Sequence, residues 1–402
     1  MLNKLYQFQK EGIEFAARHH GRILLGDEMG VGKTVQALAM SYLYKEDWPL
    51  LILTPASLKL NWRDEILTWL TDIPPSQVEV VQNSKKGLKE KKLIHILSYD
   101  LAKNIEATLS QKTFNIVIAD EVHYLKNRDA KRTKILAPLM KQCKRIFLLS
   151  GTPMLSKPLE IFVPVQILRP DIFKVFRAFG NRYCNPKPTP FGIDWTGSSC
   201  PGELHQILQH IGMIRRLKKD VLSQLPPKTR QKIEIQTDKK KVKEVKAILE
   251  HLNVKERNML FQKENMMIGG GEGEGGQEKE SSTIGSAYIK SGEAKQKGIC
   301  EFVSMLLESK TKFLIFAHHL LVLDFIEETV KKNKWKPGYI RIDGSINANK
   351  RHELISKYQK DEHCKIAILG LTASSQGITL TASSTVVFAE MHWTPGNYEL
   401  IK

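Results

Sequence analysis

Short, largely apolar runs alternate with stretches of helical spacing over the first 150 residues of the chain. The runs are Arg22–Leu25, Leu50–Leu53, Leu93–Leu97, Ile116–Ala119 and Arg145–Leu149. Largely apolar runs without polar alternation predict strands covered on both faces. Between them lie segments with the spacing of amphipathic helices, Val35–Leu43 among them. Strands and helices in alternation predict a parallel, doubly wound α/β sheet. The rhythm lapses over 154–230, which reads as mostly helical, with loops around Asn185–Pro190 and Gly197–Gly202. A charged helical pattern covers 238–264, and the low-complexity run Gly269–Gly276 leads into Glu278–Ser282, a composition that predicts disorder. Near 295 the rhythm resumes, with strands expected at Lys312–Ala317, Tyr339–Ile342, Lys365–Leu369 and Thr385–Phe388. The expected layout is an α/β lobe over 1–155 with a helical extension over 156–235. A helical, low-complexity linker over 236–294 and a second α/β lobe over 295–402 follow.

Several strands end in polar residues: Thr54-Pro55, Ser98-Tyr99, Asp120-Glu121 and Ser150-Gly151-Thr152-Pro153. In an open parallel sheet, ligands sit at these carboxyl ends. The first strand runs into Met29-Gly30-Val31-Gly32-Lys33-Thr34 and then into a helix. Strand, Gly-rich turn ending in Lys-Thr, and helix form a phosphate-binding loop: backbone amides and the helix N-terminus face the anion. Lys33 then reaches the β/γ-phosphates and the Thr34 hydroxyl ligates magnesium. Asp27 stands where the strict spacing has its first glycine, so a Gly-rich helix entry without a ligand is the competing reading. Phe114–Ala119 ends in Asp120-Glu121-Val122-His123. There Asp120 is placed to hold a metal and Glu121 to orient an attacking water. A solvated strand end is the default for one acidic pair, but loop and acidic pair together predict nucleotide hydrolysis.

Composition bounds the partners. The 402 residues are 42% hydrophobic and 26% charged, ordinary for a globular protein of two or three domains. The net charge of +18 fits a polyanionic partner or, equally on charge alone, a solvated lysine surface. Met213–Lys219 is a basic, amphipathic stretch open to the same two readings. No apolar run approaches the roughly 18 residues of a membrane span, so no membrane partner is expected. The start, Met1-Leu2-Asn3-Lys4, has no apolar signal core. Five scattered cysteines without a C-x-x-C pair support neither a disulfide framework nor a zinc site.

The ordered set of motifs resembles the Swi/Snf-type ATPases of helicase superfamily two, over essentially the whole chain. Leu5–Ile13 is similar to the family's adenine-reading segment, with Gln9 as the reader and Gln7 in place of the usual Pro. Gly26–Gln36 is close to its phosphate loop, including an acidic residue at Asp27. Asp120–His123 resembles the D-E-x-H box, and Ser150–Pro153 the motif that couples nucleotide state to DNA grip. Ile214-Arg215-Arg216-Leu217-Lys218 with Leu225-Pro226-Pro227-Lys228 is similar to the family's lobe-boundary sequence. Arg182–Asn185, Phe313–His319 and Ile340–Ser345 are most like the fork-remodelling annealing helicases.

The resemblance implies two RecA-like lobes, ATP and Mg2+ as cofactors, a nuclear location and an ATP-driven translocase that rewinds double-stranded or branched DNA. It implies an ATP site of Gln9, Asp27, Gly30, Gly32, Lys33 and Thr34, with Lys33, Asp120 and Glu121 catalytic and Thr34 and Asp120 on the metal. Coupling falls to His123, Ser150, Gly151 and Thr152. DNA contact falls to Thr54, Ser98, Arg215, Arg216, Asp343, Gly344, Thr372 and Gly377. Ser375 stands where the family has Gly, and no arginine follows Arg351, although the family's arginine-bearing last motif is expected beyond Trp393–Gly396. The expectation is therefore an incomplete second lobe with weak turnover, and contacts to a sliding clamp or ubiquitin chains only through regions beyond this chain. A nucleosome remodeller and a hydrolysis-poor DNA-binding fragment remain the alternatives.

Overall fold

A computed structural model describes residues 2–84, 87–89, 91–154, 157–190, 192–222, 229–250, 283–334, 338–371 and 380–391. The chain divides into two compact units, Met1–Pro226 and Pro227–Lys402. The first is built on a sheet of seven strands: β1 (Arg22–Leu25), β2 (Leu50–Thr54), β3 (Val78–Val80), β4 (Ile94–Ser98), β5 (Ile116–Ala119), β6 (Arg145–Leu149) and, after a separate hairpin of β7 (Lys187–Thr189) and β8 (Gly192–Asp194), β9 (Met213–Ile214). All pairings in it are parallel, in the order β3-β4-β2-β5-β6-β1-β9. Alternate residues of each central strand enter opposite cores. Leu24, Leu51, Leu53, Val117, Ala119, Ile146 and Leu148 pack on one face. Ile23, Leu25, Leu50, Ile52, Ile116, Ile118, Phe147 and Leu149 pack on the other. Two covered faces are why these strands read as largely apolar runs.

Arg22 anchors the start of β1. Its guanidinium donates to the carbonyls of Leu168 (3.1 Å), Cys143 (2.7 Å) and Ile167 (3.0 Å). Two of these close the helix Phe162–Leu168, whose final carbonyls lack partners within the helix.

Two expectations for the extension change. Residues around 185–190 are not simply a loop: β7 (Lys187–Thr189) and β8 (Gly192–Asp194) form an antiparallel hairpin. Met213–Ile214 is not a helix face but β9, paired with Leu24 and Leu25 of β1. A strand of two residues at a sheet edge has too little periodicity to be seen in sequence.

The second unit carries β10 (Phe313–Ala317), β11 (Gly338–Ile342), β12 (Cys364–Gly370) and β13 (Thr385–Phe388), parallel in the order β11-β12-β10-β13. Here too the strands alternate, with Phe313, Ile315, Ile366 and Ile368 facing one core and Leu314, Phe316, Ala367 and Leu369 the other. The helix Thr283–Glu308 begins inside the range read as linker and contributes Ile299, Val303 and Leu307 to the first of these cores. It runs against the helix Lys239–Glu250, tied to it by Lys241–Glu293 (3.1 Å) and Lys290–Glu244 (3.0 Å). Thr372, Ser375, Gly377, Leu225–Lys228, Gly269–Gly276 and Trp393–Gly396 lie outside the described residues.

Because each unit has its own cores, damage to one should stay local. Phe147 is fully buried, and Phe147→Ala should cost about 3–5 kcal/mol. Hydrogen exchange should show lost protection in β1, β5 and β6, with β10 and β12 unchanged. Equal loss in both sheets would contradict two independent cores.

Candidate nucleotide site

The loop between β1 and the helix Lys33–Leu43 lies at the carboxyl edge of the first sheet. Gly30 and Gly32 have φ of 79° and 81°, the left-handed region that side chains disfavour. A Cβ on Gly32 would also meet Gln9 Nε2 at 2.5 Å. Gln9 is buried there, its Nε2 donating to Val31 O (3.1 Å) and its Oε1 accepting from Tyr6 N (3.0 Å). The N-terminal helix Gln7–Arg18 is thus fastened to the turn of the loop. Lys33 opens the following helix, with Thr34 beside it in the first turn, where backbone amides are unpaired by the helix itself. The Lys33 ammonium donates to the carbonyls of Asp27 (3.0 Å) and Glu28 (3.3 Å). Burial lowers its pKa, opposed by the nearby charges of Glu121, Asp120 and Asp27, while the Arg215 guanidinium adds to the lowering.

The sheet order sets β5 beside β6 and β6 beside β1, so Asp120–Glu121, Ser150–Thr152 and the loop share one edge. Asp120 is held by two donors, Trp62 Nε1 to Oδ2 (2.9 Å) and Glu121 N to Oδ1 (3.0 Å). Tyr99 Oη donates to the Asp120 carbonyl at 2.7 Å. Burial, and then the neighbouring Glu121 charge, push the Asp120 carboxyl up to about 6. Glu121 follows with φ 49° and ψ 54°, a strained left-handed conformation for a residue with a side chain. Burial opposes its ionisation, yet the His123 ring and the Lys33 ammonium outweigh that and hold its carboxyl below the ordinary value. Glu121 Oε2 lies 3.3 Å from His123 Nδ1, without hydrogen-bond geometry, and is buried with no hydrogen-bond partner among the described residues. Strain together with an unsatisfied carboxylate oxygen is typical of a site built for a ligand.

Ser150 is fully buried, its Oγ accepting from Thr152 N at 3.2 Å. A Cβ on Gly151 would sit 3.6 Å from Lys33 Nζ and collide with Met29. The Lys33 ammonium and the helix N-terminal amides, with Thr34 in the same first turn, lie at the sheet edge that also carries the two carboxylates. That donor set suits a magnesium-bound polyphosphate.

Several expected contacts fall elsewhere. Asp27 is fully buried and paired with Arg216, Nη2 to Oδ2 at 2.5 Å and Nε to Oδ1 at 3.0 Å. Arg216 also donates to Gln36 Oε1 (2.7 Å) and to the Phe8 carbonyl, so it acts as an internal strut. Arg215 is exposed, but its Nη1 donates to the carbonyls of Gly26 (2.8 Å) and Gly151 (3.0 Å), which puts it on the loop. Thr54 and Ser98, paired across β2 and β4, are both buried, and Ser98 Oγ caps the helix Tyr99–Asn104. In the second unit Asp343 is also buried, accepting from Ser345 N (3.0 Å), Ser345 Oγ (2.6 Å) and Arg341 Nε (3.0 Å). It shapes its turn, whereas Gly344 beside it is exposed with open space around its Cα. Thr372 and Gly377 lie outside the described residues.

Three residues of the site were not singled out from sequence. Trp62 stands 58 positions from Asp120, with no local signal. Gln36 carried one, since a polar residue in the apolar stretch Val35–Met40 needs a buried partner. Lys218 lies against Gly30: a Cβ there would meet its Cε at 3.1 Å.

A phosphate-type loop and an acidic pair on adjacent strand ends of a parallel sheet, followed by a second parallel-sheet unit, define a two-lobed α/β nucleotide-binding protein. The SNF2-related domain family matches residues 8–287, and the helicase conserved C-terminal domain matches residues 294–401. The chain belongs to the SNF2-related family. It is 41% identical over 404 residues to the DNA annealing helicase and endonuclease ZRANB3 of Mus musculus, covering 98% of this chain and 36% of that protein. It is 40% identical over 396 residues to the SWI/SNF-related matrix-associated actin-dependent regulator of chromatin subfamily A-like protein 1 of Xenopus tropicalis, covering 98% of this chain and 40% of that one. The chain therefore spans well under half the length of these relatives. The fold is similar to that of the Sulfolobus solfataricus SWI2/SNF2 ATPase core in complex with dsDNA, with TM-score 0.50 and 21% identity over 98% of this chain and 84% of that one.

The Asp27–Arg216 pair should be a stability determinant. Arg216→Ala leaves a fully buried carboxylate without its partner and should cost about 3–5 kcal/mol, measured by urea unfolding. A loss below about 1 kcal/mol would mean that the pair is solvated. Asp120 gives a pH signature. Its folded-state value is raised above 3.8, so the folded state binds this proton more tightly and the group lowers stability as pH rises from about 4 to about 6. Asp120→Asn should remove that part of the pH slope. An unchanged slope would show that Asp120 titrates normally.

Proposed function

We propose that this chain is the motor core of a DNA-dependent ATPase that rewinds DNA and remodels branched structures such as a stalled replication fork. The observation that carries the reading is the convergence of Lys33, Asp120 and Glu121 on one sheet edge. Lys33 exchanges the carbonyls of Asp27 and Glu28 for the β/γ-phosphates of ATP. Thr34 and Asp120 would hold Mg2+, which would supply charge neutralisation at the phosphates. Glu121, with one oxygen unsatisfied and its carboxyl kept ionised by His123 and Lys33, orients the attacking water. A group that acts on the water serves the transition state more than binding. The closeness of Gly151 to the Lys33 ammonium suits it and the adjoining Thr152 to coupling.

The substrate class rests on the relatives' names, a DNA annealing helicase among them, and on the net charge of +18. The similarity to a DNA annealing helicase and to a SWI/SNF-related chromatin regulator supports a nuclear location. Phosphate contacts spread over a basic surface make binding sequence-independent and salt-sensitive.

Glu121→Gln should bind magnesium-ATP with near wild-type affinity while DNA-stimulated phosphate release falls by about a hundredfold or more. Forked duplex should stimulate the wild type more than single strands or nucleosomes. Wild-type turnover in Glu121→Gln would remove Glu121 from the chemistry. Stronger stimulation by nucleosomes would replace the fork reading with chromatin remodelling.

A further inference from the structure

The segment 214–218 lies along the phosphate loop residue by residue. Gly26 N donates to Ile214 O at 2.7 Å, Glu28 N to Arg216 O at 2.9 Å, and Lys218 N to Glu28 Oε2 at 2.8 Å. This extends the β1–β9 pairing beyond the sheet and onto the loop. Arg216 turns inward to Asp27, which leaves Arg215 and Lys218 as the side chains set against the loop itself. Arg215 Nη1 reaches the carbonyls of Gly26 and Gly151, and Lys33 Nζ lies 3.6 Å from where a Cβ on that same Gly151 would stand. The two cations meet at one glycine. At the other end of the turn, Lys218 Nζ lies 3.2 Å from where a Cβ on Gly30 would stand. Glycine at 30 lets the Lys218 ammonium come close to the turn, and at Gly151 the Met29 side chain takes up the room a Cβ would need.

We propose that Arg215 and Lys218 are nucleotide-contacting residues, adding two positive charges from the boundary segment to the polyphosphate held by Lys33. A triphosphate carries more negative charge than one lysine neutralises, and guanidinium and ammonium groups form charge-assisted bonds to phosphate oxygens. The proposal rests on the nucleotide reading of the loop given above. It gives these residues to ATP and not to DNA, although their basic character fits either polyanion. It also makes the boundary segment part of the nucleotide site, so that release of phosphate removes a partner from the stretch of chain that leads out of the first unit.

The test compares the whole chain with Arg215→Ala, Arg215→Lys, Lys218→Met and Lys219→Met variants. Magnesium-ATP affinity is measured by titration calorimetry and forked-duplex affinity, without nucleotide, by fluorescence anisotropy. Arg215→Ala and Lys218→Met should each weaken ATP binding about tenfold or more with DNA affinity unchanged. Arg215→Lys should recover part of the loss, and Lys219→Met, on the exposed neighbour, should leave ATP affinity unchanged. Unchanged ATP affinity in both Arg215→Ala and Lys218→Met overturns the proposal, as does a fall in DNA affinity with ATP affinity intact. If Arg215→Ala unfolds, Lys218→Met decides alone, because residue 218 is held in place by its backbone amide. A wild type that does not bind ATP overturns the nucleotide reading itself. A wild type that binds, with insensitive variants, overturns only the present inference.

Discussion

Parallel strand pairing is the constraint on which this protein depends. Because β1, β5 and β6 run the same way side by side, their carboxyl ends deliver the phosphate loop, the acidic pair and Ser150–Thr152 to a single edge. The stiffness of that edge comes from the two cores. Phe147 and Leu149 lock β6 from one face while Ile146 and Leu148 lock it from the other, so a strand cannot slip without exposing an entire apolar row.

On that rigid platform the site carries local costs. Glu121 is strained, one of its oxygens is unsatisfied, and Asp120 is buried beside it. Neither carboxylate is where stability alone would put it. Each is held by neighbours committed to the purpose: Trp62 and the Glu121 amide for Asp120, His123 and Lys33 for Glu121. The Asp27–Arg216 pair plays the complementary part. It joins the N-terminal helix, the loop, the helix Lys33–Leu43 and the boundary segment through one guanidinium.

Much of this was legible in sequence, and the failures have physical causes. Strands covered on both faces announce themselves as apolar runs, so the central strands of both units were found close to their observed bounds. The loop and the acidic pair were found because strand context is local. The pairing of Arg216 with Asp27 was not legible, because a charge reveals nothing of a partner 189 positions away, and a buried pair looks in sequence like two surface residues. The burial of Thr54 and Ser98 was not legible for a related reason: a polar residue at a strand end can cap a helix or lie buried as readily as it can meet a ligand. Edge elements such as β3 and β9 are too short for periodicity to detect.

The central claim is that the loop at Lys33 binds nucleotide phosphates. Its most direct measurement is calorimetric titration of magnesium-ATP into the wild type and Lys33→Ala, with circular dichroism to establish that both are folded. The account predicts saturable binding by the wild type and a loss of at least tenfold in affinity on removing the ammonium. Equal affinity in a folded Lys33→Ala would contradict it.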